Sequence, residues 1–157
     1  GFPVSGVAMR PELVQEFGQR ARYFNTFGGN PVSAAAALAV LDEIVAEDLV
    51  GNARSVGDYA KRRLAALRAK YEMIGDIRGS GLIFGAEMVL DRSSKEPASA
   101  FTDRVINALR HRGIILSKLG RHKNTLKIRP PMPFTTGNAD LLFDTLDEVL
   151  AETPIAA

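Results

Sequence analysis

"MIGDIRGSGLIFGAEMVL", Met73 to Leu90, decides the fold class of this chain. Gly75, Gly79, Gly81 and Gly85 punctuate a run of Ile, Leu, Phe and Val, which predicts two strands or a kinked pair. The glycines lack the G-x-G-x-x-G spacing of a dinucleotide fingerprint and no helix pattern follows them. Tight strand packing or a bulge is the expectation. Upstream, Val56, Ala60, Leu64, Leu67 and Tyr71 recur at helical intervals, with Lys61, Arg62, Arg63, Arg68 and Lys70 on the remaining faces as a solvated surface. Gly51 and Asn52 are expected to break or bend the helix before them. Downstream, "DRSSKEPAS" is a polar loop, and Phe101, Val105, Ala108 and Leu109 mark a helix stopped by Gly113. Ile114 to Leu116 reads as a strand, "SKLGRHKN" as a polar turn, and "TLKIR" as a second strand ended by Pro130 and Pro131. A last helix carries Leu142, Phe143, Leu146, Val149 and Leu150 on one face, capped by Thr135 or Thr136. Strands paired between helices make this an α+β arrangement, a small sheet covered by helices.

Toward the N-terminus, Gly1 to Ala8 reads as a loop entering a short buried strand, and Arg10, Pro11 and Glu12 begin a short helix through Phe17. "YFNTFGGNPVSAAAALAVLDEI", Tyr23 to Ile44, places an Asn30 cap and Pro31 at the start of an alanine-rich helix. The Thr26 hydroxyl, the backbone N–H groups around Gly28 and Gly29, and that helix N-terminus form an anion cradle in one reading. A plain turn and cap is the other. In "TLKIRPP", alternation puts Lys127 and Arg129 on one strand face, where two cations beside a rigid Pro-Pro stop can receive a carboxylate or phosphate. The same alternation fits an edge strand with its polar residues outward.

Composition narrows the function classes. A chain of 157 residues that is 46% hydrophobic can bury a core of its own. Lys+Arg 20 against Asp+Glu 18 leaves a net charge of +2, with both signs interspersed despite a pI near 9.1. The tyrosines do not interleave with basic runs, so nucleic acid is not expected as a partner. The absence of cysteine excludes disulfides and thiolate metal sites and fits a cytoplasmic setting. No apolar run approaches the roughly 18 residues of a membrane span. His111 and His122 lie in a helix-end "HRG" and a "GRHKN" turn, and neither a Walker A sequence nor an H-E-x-x-H helix is present, so no metal is expected.

Taken together, "GFPVSGVAMRPEL", "NTFGGNPVSAAAALAVLDEI", "IGDIRGSGLIFGAEMV", "RGIILSKLG", "LKIRPPMPFT" and "LFDTLDEVL" resemble the class III (subgroup II) aminotransferases, pyridoxal-phosphate enzymes of the aspartate aminotransferase fold type. They occur in family order over nearly the whole chain. The tail from Leu116 is most similar to the branch of the amino-alcohol phosphate phospho-lyases. The resemblance implies the C-terminal part of a fold-type I transferase: residues 1–50 end the large cofactor-binding domain and include the linking helix, and residues 51–157 form the small domain. It implies a homodimer in which Thr26, with the Phe27 backbone beside it, contacts the phosphate of the cofactor held mainly by the neighbouring subunit. It further implies that the cofactor lysine precedes Gly1, so that this segment alone is inactive. Many relatives place a substrate-carboxylate arginine three residues before the Pro-Pro pair. Here Lys127 stands there and Arg129 two residues on, both candidates for the substrate anion, although Lys does not reproduce an arginine fork. The activity implied is amino transfer between an amine or amino acid and a keto acid. The alternatives are phosphate elimination from an amino-alcohol phosphate, or a non-catalytic oligomerisation or regulatory module.

Overall fold

The computed structural model describes residues 2–155. In chain order its elements are α1 (Pro11–Arg20), α2 (Pro31–Ala46), α3 (Leu49–Lys70), β1 (Ile74–Ser80), β2 (Ile83–Met88), α4 (Ser99–His111), β3 (Ser117–Leu119), β4 (Thr125–Ile128) and α5 (Thr136–Glu152). They divide into two units, Gly1–Glu47 and Asp48–Ala157.

In the second unit the expected α+β arrangement forms: a four-stranded antiparallel sheet in the order β1-β2-β4-β3, with helices on one face. Alternation decides which side chains face the helices. Phe84, Ala86 and Met88 of β2 and Leu126 and Ile128 of β4 are buried among Leu64 of α3, Phe101, Val105 and Leu109 of α4, and Phe143 and Leu146 of α5. The Phe84 and Phe143 rings stack at 6.4 Å. On the opposite sheet face Asp76, Arg78, Ile83, Ser117 and Leu119 are exposed. Gly75 sits where the β1–β2 register shifts, the bulge that the glycine spacing allowed.

Two sequence expectations change here. Gly51 and Asn52 do not break a helix, because both lie inside α3. The break comes earlier, at Asp48, whose backbone is left-handed (φ 43°) and whose carboxylate accepts the Gly51 N–H at 3.2 Å. A Cβ on residue 51 would sit 2.1 Å from that carboxylate, so the glycine serves the cap. Ile114 to Leu116 is irregular rather than a strand. The strand is instead Ser117–Leu119, which pairs with β4 across the turn that follows it, Gly120 (φ 92°) included. Gly113 (φ 83°) ends α4, and Thr135 caps α5 in a capping box with Asn138.

In the first unit, Asn30 caps α2 by accepting the Ser33 N–H at 2.9 Å, and Pro31 occupies the first turn. α1 runs to Arg20 rather than Phe17. The strand expected before Ala8 does not form: residues 2–10 are irregular and exposed, and a strand needs a neighbour to take its backbone hydrogen bonds. None of residues 2–47 is buried, and α2 leaves Val32, Leu38, Val40, Leu41 and Val45 open to solvent.

Candidate functional site

The loop before α2 is built by Asn25 and Asn30. The Asn25 carboxamide accepts the Phe27 N–H at 3.1 Å, and the Asn25 carbonyl accepts the Gly28 N–H at 3.2 Å. Asn30 donates to the Phe27 carbonyl at 3.0 Å, and Gly29 is left-handed (φ 69°), as the turn into the helix requires. Around it lies a concavity of about 900 Å³ lined by residues that include Ser5, Asn25, Phe27, Gly28, Asn30 and Ser33. Thr26 is not in that lining. It is exposed, and its hydroxyl has no partner among the described residues.

These features fit one side of a cofactor phosphate. A free hydroxyl stands five residues before a helix N-terminus, where the backbone carries partial positive charge. They do not amount to a whole phosphate site, since the lining holds no cation. The Phe27 N–H is engaged by Asn25, so a phosphate oxygen there would displace that carboxamide.

In the second unit, Lys127 and Arg129 line one cavity of about 440 Å³. Its walls come from the α4–β3 connection (Ile114, Leu116) with Ser117 of β3, the end of β4 with Pro130 and Pro131, and Phe134 with the first half of α5. The lining contains no Asp or Glu, and neither cation forms an ion pair among the described residues. An uncompensated pair of cations beside apolar walls attracts an anion bound to a small organic group.

β4 lies between β2 and β3, so the edge-strand reading of "TLKIR" is corrected: both sides of the strand are paired. Lys127 is half-buried opposite Ser117 and Gly85, whereas Arg129 is exposed just beyond the end of the strand. Sequence reasoning missed Asn52, whose side-chain amide donates to the carbonyls of Met132 (2.7 Å) and Phe134 (3.1 Å). Its position four residues before buried Val56 and eight before Ala60 was the available signal, an amide on an apolar helix stripe. Among the described residues no cluster of His, Asp and Glu could hold a metal ion, and no helix is long and apolar enough to cross a membrane.

Comparison with known proteins places the chain in a family. Residues 1–150 match the family described as Aminotransferase class-III. The chain is 44% identical over 147 residues to alanine–glyoxylate aminotransferase 2 homolog 2, mitochondrial, of Arabidopsis thaliana, covering 94% of this chain and 31% of that protein. It is 42% identical over 151 residues to ethanolamine-phosphate phospho-lyase homolog 1 of Caenorhabditis elegans, covering 96% and 32%. Among solved structures, a phospholyase from Arthrobacter in complex with phosphoethanolamine superposes with a TM-score of 0.87 at 42% identity, covering 92% of this chain and 34% of that one. A PLP-bound amine transaminase from an uncultivated Pseudomonas species superposes with a TM-score of 0.79 at 32% identity, covering 88% and 31%. The chain thus spans about a third of the length of these relatives. Its small antiparallel sheet with helices is the one these fold-type I enzymes carry, and the chain belongs to the class-III aminotransferases.

Proposed function

We propose that residues 1–157 are part of a pyridoxal-phosphate-dependent aminotransferase that moves an amino group between an amine or amino acid and a keto acid. The cofactor, when bound, supplies the electron sink for the chemistry at the amino carbon. In this reading the lysine that bonds it comes from residues outside this chain. The chain's own residues bind and orient. The Thr26 hydroxyl donates to a cofactor phosphate oxygen, from the partner's side in a homodimer, and the Phe27 backbone lies beside it. Lys127 and Arg129 hold the substrate's anionic group, and the Pro130–Pro131 pair stiffens the wall against which it rests. A cytoplasmic location is part of the reading.

The single observation that carries the substrate side is the acid-free cavity to which both Lys127 and Arg129 contribute. A second reading, phosphate elimination from an amino-alcohol phosphate, is favoured by the likeness to a phospholyase in complex with phosphoethanolamine and by Lys127 in the cavity wall. A compact ammonium suits a phosphate as a point charge better than it suits a bidentate carboxylate clamp. Product analysis on the full-length protein tests both. An aminotransferase supplied with L-alanine and glyoxylate yields pyruvate and needs the keto acid. A lyase supplied with phosphoethanolamine releases inorganic phosphate without one. Neither product under saturating cofactor would overturn both readings.

A further inference from the structure

The segment from Arg129 to Phe134 forms one wall of the cation-bearing cavity, through Arg129, Pro130, Pro131 and Phe134. Little within the segment holds it. Pro130, Pro131 and Pro133 have no N–H to donate, and its internal backbone bond runs from the Phe134 N–H to the Pro131 carbonyl at 3.1 Å. Phe134 packs against the core, and the remaining hydrogen-bond restraint comes from about 80 residues away in sequence. Both amide hydrogens of Asn52 are used, one on the Met132 carbonyl and one on the Phe134 carbonyl. Asn52 is itself fixed in the first turn of α3, where its N–H donates to the Asp48 carbonyl at 2.9 Å. It does not line the cavity.

We infer that Asn52 is a positioning residue for substrate binding: it sets the Arg129–Phe134 wall, and through it the placement of Arg129 and Phe134 around the bound anion. The chemistry of the contact is specific. Two carbonyl oxygens converge on one nitrogen, so the position requires a neutral side chain with two donated hydrogens. An aspartate would keep the shape and turn a carboxylate oxygen toward carbonyl oxygens, replacing attraction by repulsion. The inference rests on the proposed role of the cavity as the substrate-anion site.

The test uses the full-length, cofactor-loaded protein with Asn52→Ala, Asn52→Asp and Asn52→Gln, and whichever of L-alanine and phosphoethanolamine it turns over. Loss of two neutral hydrogen bonds should raise KM about tenfold in Asn52→Ala, more in Asn52→Asp, with kcat changed less than about twofold and partial recovery in Asn52→Gln. The KM effects of Asn52→Ala and Arg129→Ala should not add, because the first displaces what the second removes. A second readout is independent of turnover: hydrogen exchange at the Phe134 amide, which donates to the Pro131 carbonyl, should accelerate in Asn52→Ala while the Ile114 amide, which donates to the Leu109 carbonyl, keeps its protection. Unchanged exchange at the Phe134 amide would overturn the inference. So would an exchange effect accompanied by additive KM effects. If Lys127→Ala and Arg129→Ala both leave KM unchanged while exchange accelerates in Asn52→Ala, the substrate role of the cavity falls, and the positioning role falls with it. In that case Asn52 is shown to hold the loop and nothing more.

Discussion

Gly57 in α3 meets Gly81 in the β1–β2 turn so closely that a Cβ on Gly57 would lie 2.2 Å from the Gly81 carbonyl oxygen. The turn side of the contact is as constrained, since Gly81 is left-handed (φ 53°). Alanine in place of glycine inside a helix ordinarily stabilises by about 1 kcal/mol. At position 57 the sign should reverse, because a methyl group forced against backbone costs on the order of 1–3 kcal/mol. Urea denaturation of Gly57→Ala should therefore show a lower midpoint with an unchanged slope. A raised midpoint would mean that the hairpin moves away freely and that the contact does not constrain the fold.

Asp147 links α5 to α3 by accepting from Lys70 at 2.7 and 2.9 Å and from the Tyr71 hydroxyl. The Lys70 ammonium first, then the Tyr71 hydroxyl, hold its carboxyl below the ordinary aspartate value. A carboxyl depressed in the folded state contributes stability in full above its unfolded pKa of about 3.9 and loses it as pH falls through the folded value. Asp147→Asn should reduce stability at pH 6 and flatten the decline between about pH 4 and 2. The carboxylate is more than a third exposed, so solvent screens the effect and it should be small. Parallel pH profiles for the two proteins below pH 4 would show that the contact contributes nothing.

Lys127→Ala and Arg129→Ala should each weaken the substrate more than the cofactor in the full-length protein. Loss of a charge-assisted hydrogen bond costs roughly 1.5–3 kcal/mol. Kinetic constants within error of wild type in both variants would return the two side chains to a solvated role. Spectroscopic titration with pyridoxal phosphate provides the control, since its affinity should not change.

Thr26→Ala should weaken pyridoxal phosphate by roughly 1.5–3 kcal/mol with the fold intact, the worth of one hydrogen bond to a charged group. A heterodimer decides from which subunit Thr26 acts. One subunit carries Thr26→Ala and the other lacks the cofactor lysine. If the contact is in trans, the site that keeps its lysine borrows an intact Thr26 and binds cofactor normally. If that site shows the weakened affinity of the Thr26→Ala homodimer, the contact is in cis.

The parts of this fold that the sequence announces are those decided locally. Asn30 before Pro31 and Gly113 after Arg112 satisfy helix-end groups within a few residues and stand where expected, and Thr135 is the one of two candidate caps that closes a box with Asn138. The parts that were not legible depend on distant partners. Ile114 to Leu116 has the composition of a strand, yet Ser117–Leu119 takes that place because it is the segment that comes into register with Thr125–Lys127. Asn52 beside Gly51 looks like a helix break until Asp48 is seen to cap the helix and Met132 and Phe134 to claim the amide. Of the candidate cavity, the shared face of Lys127 and Arg129 was readable from alternation, which by itself does not separate an anion site from a solvated strand face. The walls around them were not, because Ile114, Phe134 and Leu141 reach the cavity through tertiary packing.

The open surface of residues 2–47 has a calorimetric consequence. Heat capacity on unfolding reports newly hydrated apolar area, and these residues, none of them buried, have little left to hydrate. The step measured for this chain should therefore match the 110 residues of the Asp48–Ala157 unit, about 1.3–1.7 kcal/mol/K at 12–15 cal/mol/K per residue, rather than the whole length. Any association that covers Val40, Leu41 and Val45 should return the missing part as a negative heat-capacity change of binding.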